Sequence, residues 1–230
     1  MNKSVFRLGR YYVLNAAIIG MILCIYLLTA STDVHSVMGR AGVSPFYRGD
    51  SAKRQVALYM RVATDDTAMV KRAMDVLVYT GTPATFFVDR AFAAAHPGTV
   101  RMLSQNGFEI GGAGRKAVRA EGLRKELALT DRELSECTGA PVSLYSPPDG
   151  EYSRETLDVA AALGYTTVLW SVDASGQDAD TVLTRAVGNL YNGAIIRVTV
   201  DGPTIEALPA IVKAVKEKDY EFETVGTLIQ

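Results

Sequence analysis

Histidine is almost missing from this chain, with only His35 and His96 among 230 residues. Imidazole is the commonest metal ligand and the usual proton carrier near neutral pH, so a centre built on several histidines is out of reach. Cysteine is as scarce. Cys24 lies in an apolar run, which leaves Cys137 without a partner in the rest of the chain, and a disulfide framework is excluded. Neither sign of charge prevails, because the formal net charge is −1, so the basic footprint that nucleic acid requires is lacking. No internal repeat and no low-complexity tract is present. What is present is apolar surface: hydrophobic residues make up 48% of the chain, which argues against disorder and supports one sizeable α/β domain with a short appendage.

The appendage is residues 1–54. Residues 11–30 (YYVLNAAIIGMILCIYLLTA) carry no charge, and at about 1.5 Å per residue such a run crosses a hydrocarbon core of about 30 Å. Lys3, Arg7 and Arg10 precede it, and the next basic residue, with His35 neutral, is Arg40. The positive-inside bias then places residues 1–10 in the cytoplasm and the domain outside the membrane. A cleaved secretory signal has the same charge order, but its apolar core is shorter, and Leu28-Thr29-Ala30 puts a large residue where a small one is wanted. Residues 31–54, with scattered Ser, Gly and Pro, read as a stalk.

From residue 55 onward, β-branched or aromatic runs alternate with amphipathic stretches, the pattern of βα units around a parallel sheet. The pattern predicts strands at 56–62, 84–88, 109–111, 142–145, 167–172, 194–198 and 221–225. Helices are predicted at 66–79, 97–105, 120–137, 153–163, 178–190 and 204–217. Ser153 with Thr156 suits a helix start, and Gly81, Gly107, Gly139 and Gly164 suit helix ends.

Five framework segments occur in order: Ala84-Thr85-Phe86-Phe87-Val88, Phe108-Glu109-Ile110-Gly111, Ser146-Pro147-Pro148-Asp149-Gly150-Glu151-Tyr152, Leu169-Trp170-Ser171-Val172-Asp173 and Ala207-Leu208-Pro209. Together they resemble the NodB-type polysaccharide deacetylases, carbohydrate esterase family four, over residues 55–230. The sporulation-associated, membrane-anchored branch is the nearest, because an anchor and Phe46-Tyr47-Arg48-Gly49-Asp50 precede the first strand. The resemblance implies a distorted (β/α) barrel of about seven to eight units, with its site at the carboxyl ends of the strands. It also implies removal of acetyl groups from glycans by a divalent metal such as zinc, held by one aspartate and two histidines. A second aspartate would serve as base and a histidine as acid.

The sequence departs from that pattern wherever the chemistry should be. Against the family's Thr-Phe-Asp-Asp-Gly stands Tyr59-Met60-Arg61-Val62-Ala63. A guanidinium cannot accept a proton at neutral pH and repels a divalent cation. Against Asn-His-Thr-x-x-His stands Gly112-Ala113-Gly114-Arg115-Lys116-Ala117, with alanine at both histidine positions. Against Arg-Pro-Pro-Tyr-Gly stands Ser146-Pro147-Pro148-Asp149-Gly150, and Thr199 takes the place of the acid histidine.

The expected catalytic set is therefore empty, and no metal ligands or cofactor are expected. An oxygen-only site for magnesium or calcium made by Asp65, Asp66 and Asp149 is the alternative, set against helix capping by the first two. His96, before Pro97, reads as a capping or surface residue, and Cys137 as a buried structural thiol. The candidate substrate cleft comprises Tyr59, Arg61, Tyr145, Ser146, Asp149, Trp170, Asp173 and Thr199. The basic group Arg115, Lys116, Arg119, Arg124 and Lys125 is either a solvated face or a contact for anionic wall polymer or lipid.

Three functions follow from these residues. The first is an inactive, membrane-anchored homologue that binds cell-wall glycan or an envelope or sporulation protein in the former cleft. The second is an active deacetylase with a relocated site. The third is an interaction module whose cleft is filled. A plug of Tyr59, Met60 and Val62 would favour the third, and an open groove lined by Trp170 and Tyr145 would favour glycan binding.

Overall fold

The computed structural model describes residues 43–50, 52–116 and 119–230, together with Ile19 and Met21. The expected transmembrane run and most of the stalk therefore lie outside the described residues. Among the described residues, no helix is long and apolar enough to cross a membrane.

Strand β1 (Gln55–Arg61) is buried through Val56, Ala57, Leu58, Tyr59 and Met60, the continuous apolar run of a parallel strand covered on both faces. Its side chains alternate between two cores. Val56, Leu58 and Met60 enter the layer shared with the helices, whereas Ala57 and Tyr59 point inside the curl of the sheet. Helix α1 (Thr67–Thr80) begins where the Asp66 carboxylate accepts from the backbone N–H groups of Ala68 (2.9 Å) and Met69 (3.2 Å). It buries Val70, Ala73, Met74 and Leu77, an i, i+3, i+4, i+7 stripe. Each large side chain of that stripe contributes about 1.5–3 kcal/mol when fully buried. The helix stops at Gly81, where φ is 58° and a side chain would be strained.

The chain continues through β2 (Thr85–Val88), α2 (Arg90–Ala95), α3 (Pro97–Gln105), β3 (Glu109–Ala113), α4 (Ala120–Thr138) and β4 (Leu144–Ser146). A single 3₁₀ turn (Pro148–Gly150) precedes α5 (Arg154–Ala162), β5 (Thr166–Thr167), β6 (Val172–Asp173) and α6 (Ala179–Gly188). Then come β7 (Ala194–Thr199), α7 (Gly202–Glu217), β8 (Glu221–Glu223) and α8 (Val225–Leu228). All pairings are parallel, in the order β5-β4-β3-β2-β1-β7-β6, with β8 beside β1. β8 takes the first half of one edge of β1 (Gln55–Ala57), and β2 takes the second half from Tyr59 onward.

The sheet curls into a barrel that its own strands leave open between β5 and β6. Residues 46–50 lie across that gap. Phe46 N–H donates to the Thr167 carbonyl (2.9 Å) and its own carbonyl accepts from Leu169 (2.8 Å), while Gly49 N–H donates to Gly193 (2.8 Å). A methyl group at Gly49 would collide with the Leu228 carbonyl, so the segment can approach α8 only through a glycine.

The predicted helices are observed within two residues at each end. The predicted strand at 167–172 is instead split into β5 and β6, because Phe46 takes the backbone bonds of Thr167 and Leu169 while Ser171 N–H turns to Ile195. Two short helices replace expected loop or strand. Asp89 caps α2, and Thr224 caps α8 and cuts short the strand predicted to reach 225. At the amino-terminal end of the barrel, Thr85 Oγ1 donates to Glu109 Oε2 (2.6 Å) and accepts from Val225 N–H (2.8 Å). The same carboxylate oxygen accepts from Gly226 N–H (2.9 Å), which pins α8 against the sheet.

Candidate functional site

The carboxyl end of the barrel is floored by aromatic rings. Tyr59 stacks on Phe87 with centroids 4.0 Å apart, and Trp170 meets Tyr59 edge-on at 5.7 Å. Tyr59 and Phe87 are buried, and desolvation pushes the Tyr59 phenol above its usual pKa. Ser146 and the guanidinium groups of Arg61 and Arg197 pull it partly back. Trp170 is seated by the third framework segment. A Cβ at Gly150, whose φ is 76°, would come to 3.1 Å of the indole.

Above this floor the strand ends deliver cations. Arg61 closes β1 and donates from Nη2 to the Gly114 carbonyl at 3.0 Å, just past β3. Arg197, two residues lower on β7 and level with Tyr59, lies over the Trp170 ring at 4.2 Å from the centroid and donates from Nη1 to Asp173 Oδ2 at 3.0 Å. A guanidinium over indole is a cation–π contact, worth about 0.5–2 kcal/mol depending on desolvation. Among the described residues, Arg61 Nη1 and Arg197 Nε are buried without a hydrogen-bond partner. Thr199 reaches only the Ser175 hydroxyl, at 3.5 Å.

Of the residues expected to form a cleft, Tyr59, Arg61, Ser146, Trp170, Asp173 and Thr199 gather at this mouth. Tyr145 does not. It alternates with Leu144 and Ser146 and so faces the helices, packed with Leu123, Leu127, Ala160 and Tyr165. There it lines a groove of about 230 Å³ outside the barrel, together with Pro147, Pro148 and Tyr152. Burial, with the Glu126 charge adding to it, pushes the Tyr145 phenol up to about 12. Asp149 is exposed on the 3₁₀ turn with φ 51°, and the expected groove between Trp170 and Tyr145 is not formed.

The plug also differs from expectation. Tyr59 fills the interior with Phe87 and Trp170, whereas Met60 and Val62 belong to the helix-facing core. Ala113 lies in the inner core, and Ala117 is outside the described residues.

Arg197 is a mouth residue that the sequence reading passed over. Its signal was a single cation in the otherwise apolar strand Ile195-Ile196-Arg197-Val198, on the same inward face as Ile195 and Thr199. Position 62 turning away, an arginine at position 61 and an alanine at 113 together give a donor set that does not fit a divalent cation. Among the described residues, no three His, Cys, Asp or Glu side chains are grouped to hold a metal ion, Asp65, Asp66 and Asp149 included. Asp66 is committed to capping α1. His96 sits at the junction of α2 and α3 without a side-chain cap and packs its ring on Phe92 at 4.9 Å. Cys137 is buried, and desolvation raises its thiol pKa. Arg115, Lys116, Arg119, Arg124 and Lys125 are exposed, and only Arg115 approaches a mouth carboxylate, Asp89, at 3.9 Å.

Comparison with known proteins agrees with this frame. The chain is 27% identical over 193 residues to the uncharacterized protein YlxY of Bacillus subtilis, covering 80% of this chain and 60% of that protein's length. It is 26% identical over 197 residues to a peptidoglycan-N-acetylglucosamine deacetylase of Bacillus cereus, covering 80% of this chain and 71% of the relative. In fold it matches a carbohydrate esterase family 4 pseudoenzyme from Bacillus anthracis with a TM-score of 0.77 at 24% identity, over 82% of this chain and 69% of the other. The polysaccharide deacetylase family model matches residues 50–168, from the strap across the seam to the end of β5. By that match the chain belongs to the polysaccharide deacetylase family.

Proposed function

We propose that this protein is a non-catalytic polysaccharide deacetylase homologue that holds a cell-wall glycan at the barrel mouth, with an envelope protein as the alternative occupant. One observation carries the reading. Arg61 ends β1 where the family resemblance puts the base, and its guanidinium is tied to the Gly114 carbonyl at 3.0 Å. A fixed cation there neither accepts the proton of an attacking water nor tolerates a metal beside it. Trp170, partly exposed at the mouth, offers an aromatic surface of the kind on which sugar rings pack, and the Bacillus cereus relative is named for action on peptidoglycan. The uncharged run at 11–30 would hold the domain at the outer face of a membrane.

The test uses the full chain purified in mild detergent. Metal content is measured after equilibration with zinc, and acetate release is assayed from chitooligosaccharides and peptidoglycan fragments. The expected result is neither bound zinc nor acetate, with retention of the protein on peptidoglycan. Stoichiometric zinc with turnover would overturn the reading, and Asp65→Ala and Asp149→Ala would then locate a relocated centre.

A second reading has its own support: the groove of about 230 Å³ beside β4 lies outside the barrel. Binding there would make the fold an interaction module with a filled interior. Loss of retention on Tyr152→Ala but not on Trp170→Ala would favour it.

A further inference from the structure

Resting on the glycan-binding reading, we propose that the mouth is an oxyanion site, so that the glycan held there carries a carboxylate or phosphate group bound between Arg61 and Arg197. Two charged donors argue for it. Among the described residues, Arg61 Nη1 and Arg197 Nε are buried with no partner, whereas the Ser146 hydroxyl, only 1% exposed, is engaged with the Tyr59 phenol. A buried donor without an acceptor is costly, and more so when it is charged, so such groups mark a place where an acceptor is due. The strands bring both to one mouth: Arg197 stands opposite Tyr59 in the β1–β7 register and over Trp170, which meets Tyr59 edge-on, and Arg61 follows Tyr59 by two residues on the same face and bonds Gly114.

The local charge has the sign an anion needs. Asp173 is the one carboxylate paired with either arginine, and it is 45% exposed and spends its second oxygen on Ser175 N–H. Among the described residues, the partner of Arg61 is a neutral carbonyl, that of Gly114. A planar guanidinium offers parallel N–H groups that match two oxygens of a carboxylate or phosphate, whereas a neutral hydroxyl meets one at a time. The contact with Trp170 holds the Arg197 plane, so its free Nε edge is oriented before any ligand arrives. The chemistry selected is thus the reverse of the family's: a negatively charged substituent where a metal cation would sit.

The chain contains a single tryptophan, Trp170, and it touches Arg197, so fluorescence excited selectively in tryptophan, clear of the tyrosines, reports this site. Full-length protein in detergent is titrated with chitobiose, with the disaccharide N-acetylglucosaminyl-N-acetylmuramic acid, which adds a carboxylate-bearing lactyl group, and with glycerol phosphate; calorimetry provides a second readout. The expected result is a saturable signal with the carboxylate disaccharide at least about ten-fold tighter than chitobiose, weakened by salt, and lost about ten-fold or more in R61Q and R197Q. Should either variant fail to fold, R61K and R197K keep the charge but lose the planar fork, and should weaken the carboxylate ligand more than chitobiose.

Glycerol phosphate binding more tightly than the disaccharide would identify phosphate as the oxyanion and support the site. Equal affinity for chitobiose and the carboxylate disaccharide would overturn the oxyanion site and leave glycan binding standing. Failure of all three ligands would overturn both.

Discussion

The two ends of this barrel treat polar groups in opposite ways. At the amino-terminal end, Thr85 donates to Glu109 and accepts from Val225, and the Glu109 carboxylate also takes Gly226 N–H. At the carboxyl end, two guanidinium groups keep donors without acceptors among the described residues. Since both ends are built from the same eight strands, the difference is not one of fold. A closed network rigidifies and specifies structure, whereas an open one waits for another molecule.

Several changes would break or sharpen that contrast. The largest effect belongs to the layer between the ends. Tyr59→Ala should cost about 3–5 kcal/mol in denaturant unfolding, because it removes a fully buried ring stacked on Phe87 and leaves a cavity. Next comes the closed end. Thr85→Val keeps the shape but strands Val225 N–H and leaves Glu109 Oε2 with Gly226 N–H alone, and should cost about 1–3 kcal/mol. If Thr85→Val proves neutral, the amino-terminal network is not what holds α8 and the contrast fails.

A smaller effect should appear in alkali. Tyr145 is raised by burial from about 10 in the unfolded chain to about 12 in the fold. The unfolded chain therefore loses this proton first, so stability is unaffected below about pH 10 and falls as pH rises from there through about 12. Tyr145→Phe should flatten that part of the pH–stability curve. The smallest effect is expected at the open end: Arg197→Leu should change stability by less than about 1 kcal/mol, because replacing a partly buried, incompletely paired charge with an apolar group is often neutral. A loss as large as that of Thr85→Val would mean that Arg197 serves the fold rather than a ligand.

Much of this was legible in the sequence. Helices with caps and apolar stripes, such as α1 between Asp66 and Gly81, were readable because each end is specified by its own local chemistry. The departure of Arg61 from the family pattern was readable because it sits inside a framework segment. What escaped depends on neighbours distant in the chain. The break between β5 and β6 is imposed by Phe46, and α8 is held by Thr85 and Glu109. Tyr145 and Trp170 group together as aromatics near framework segments, yet strand parity turns Tyr145 toward the helices, whereas Trp170, between β5 and β6, packs against the inner core. The same parity would have brought Arg197 in with Thr199.

The strap at residues 46–50 also bears on how the domain is made. Asp50 N–H donates to the carbonyl of Leu228 (3.3 Å), and Arg54 reaches the carbonyls of Lys218 (2.5 Å) and Asp219 (3.2 Å). The strap, made before any strand of the barrel, is thus anchored on α8, made after all of them. Before α8 forms, the strap can bond Thr167, Leu169 and Gly193 but lacks that anchor, and the nascent chain presents an incompletely secured seam to whatever meets it first.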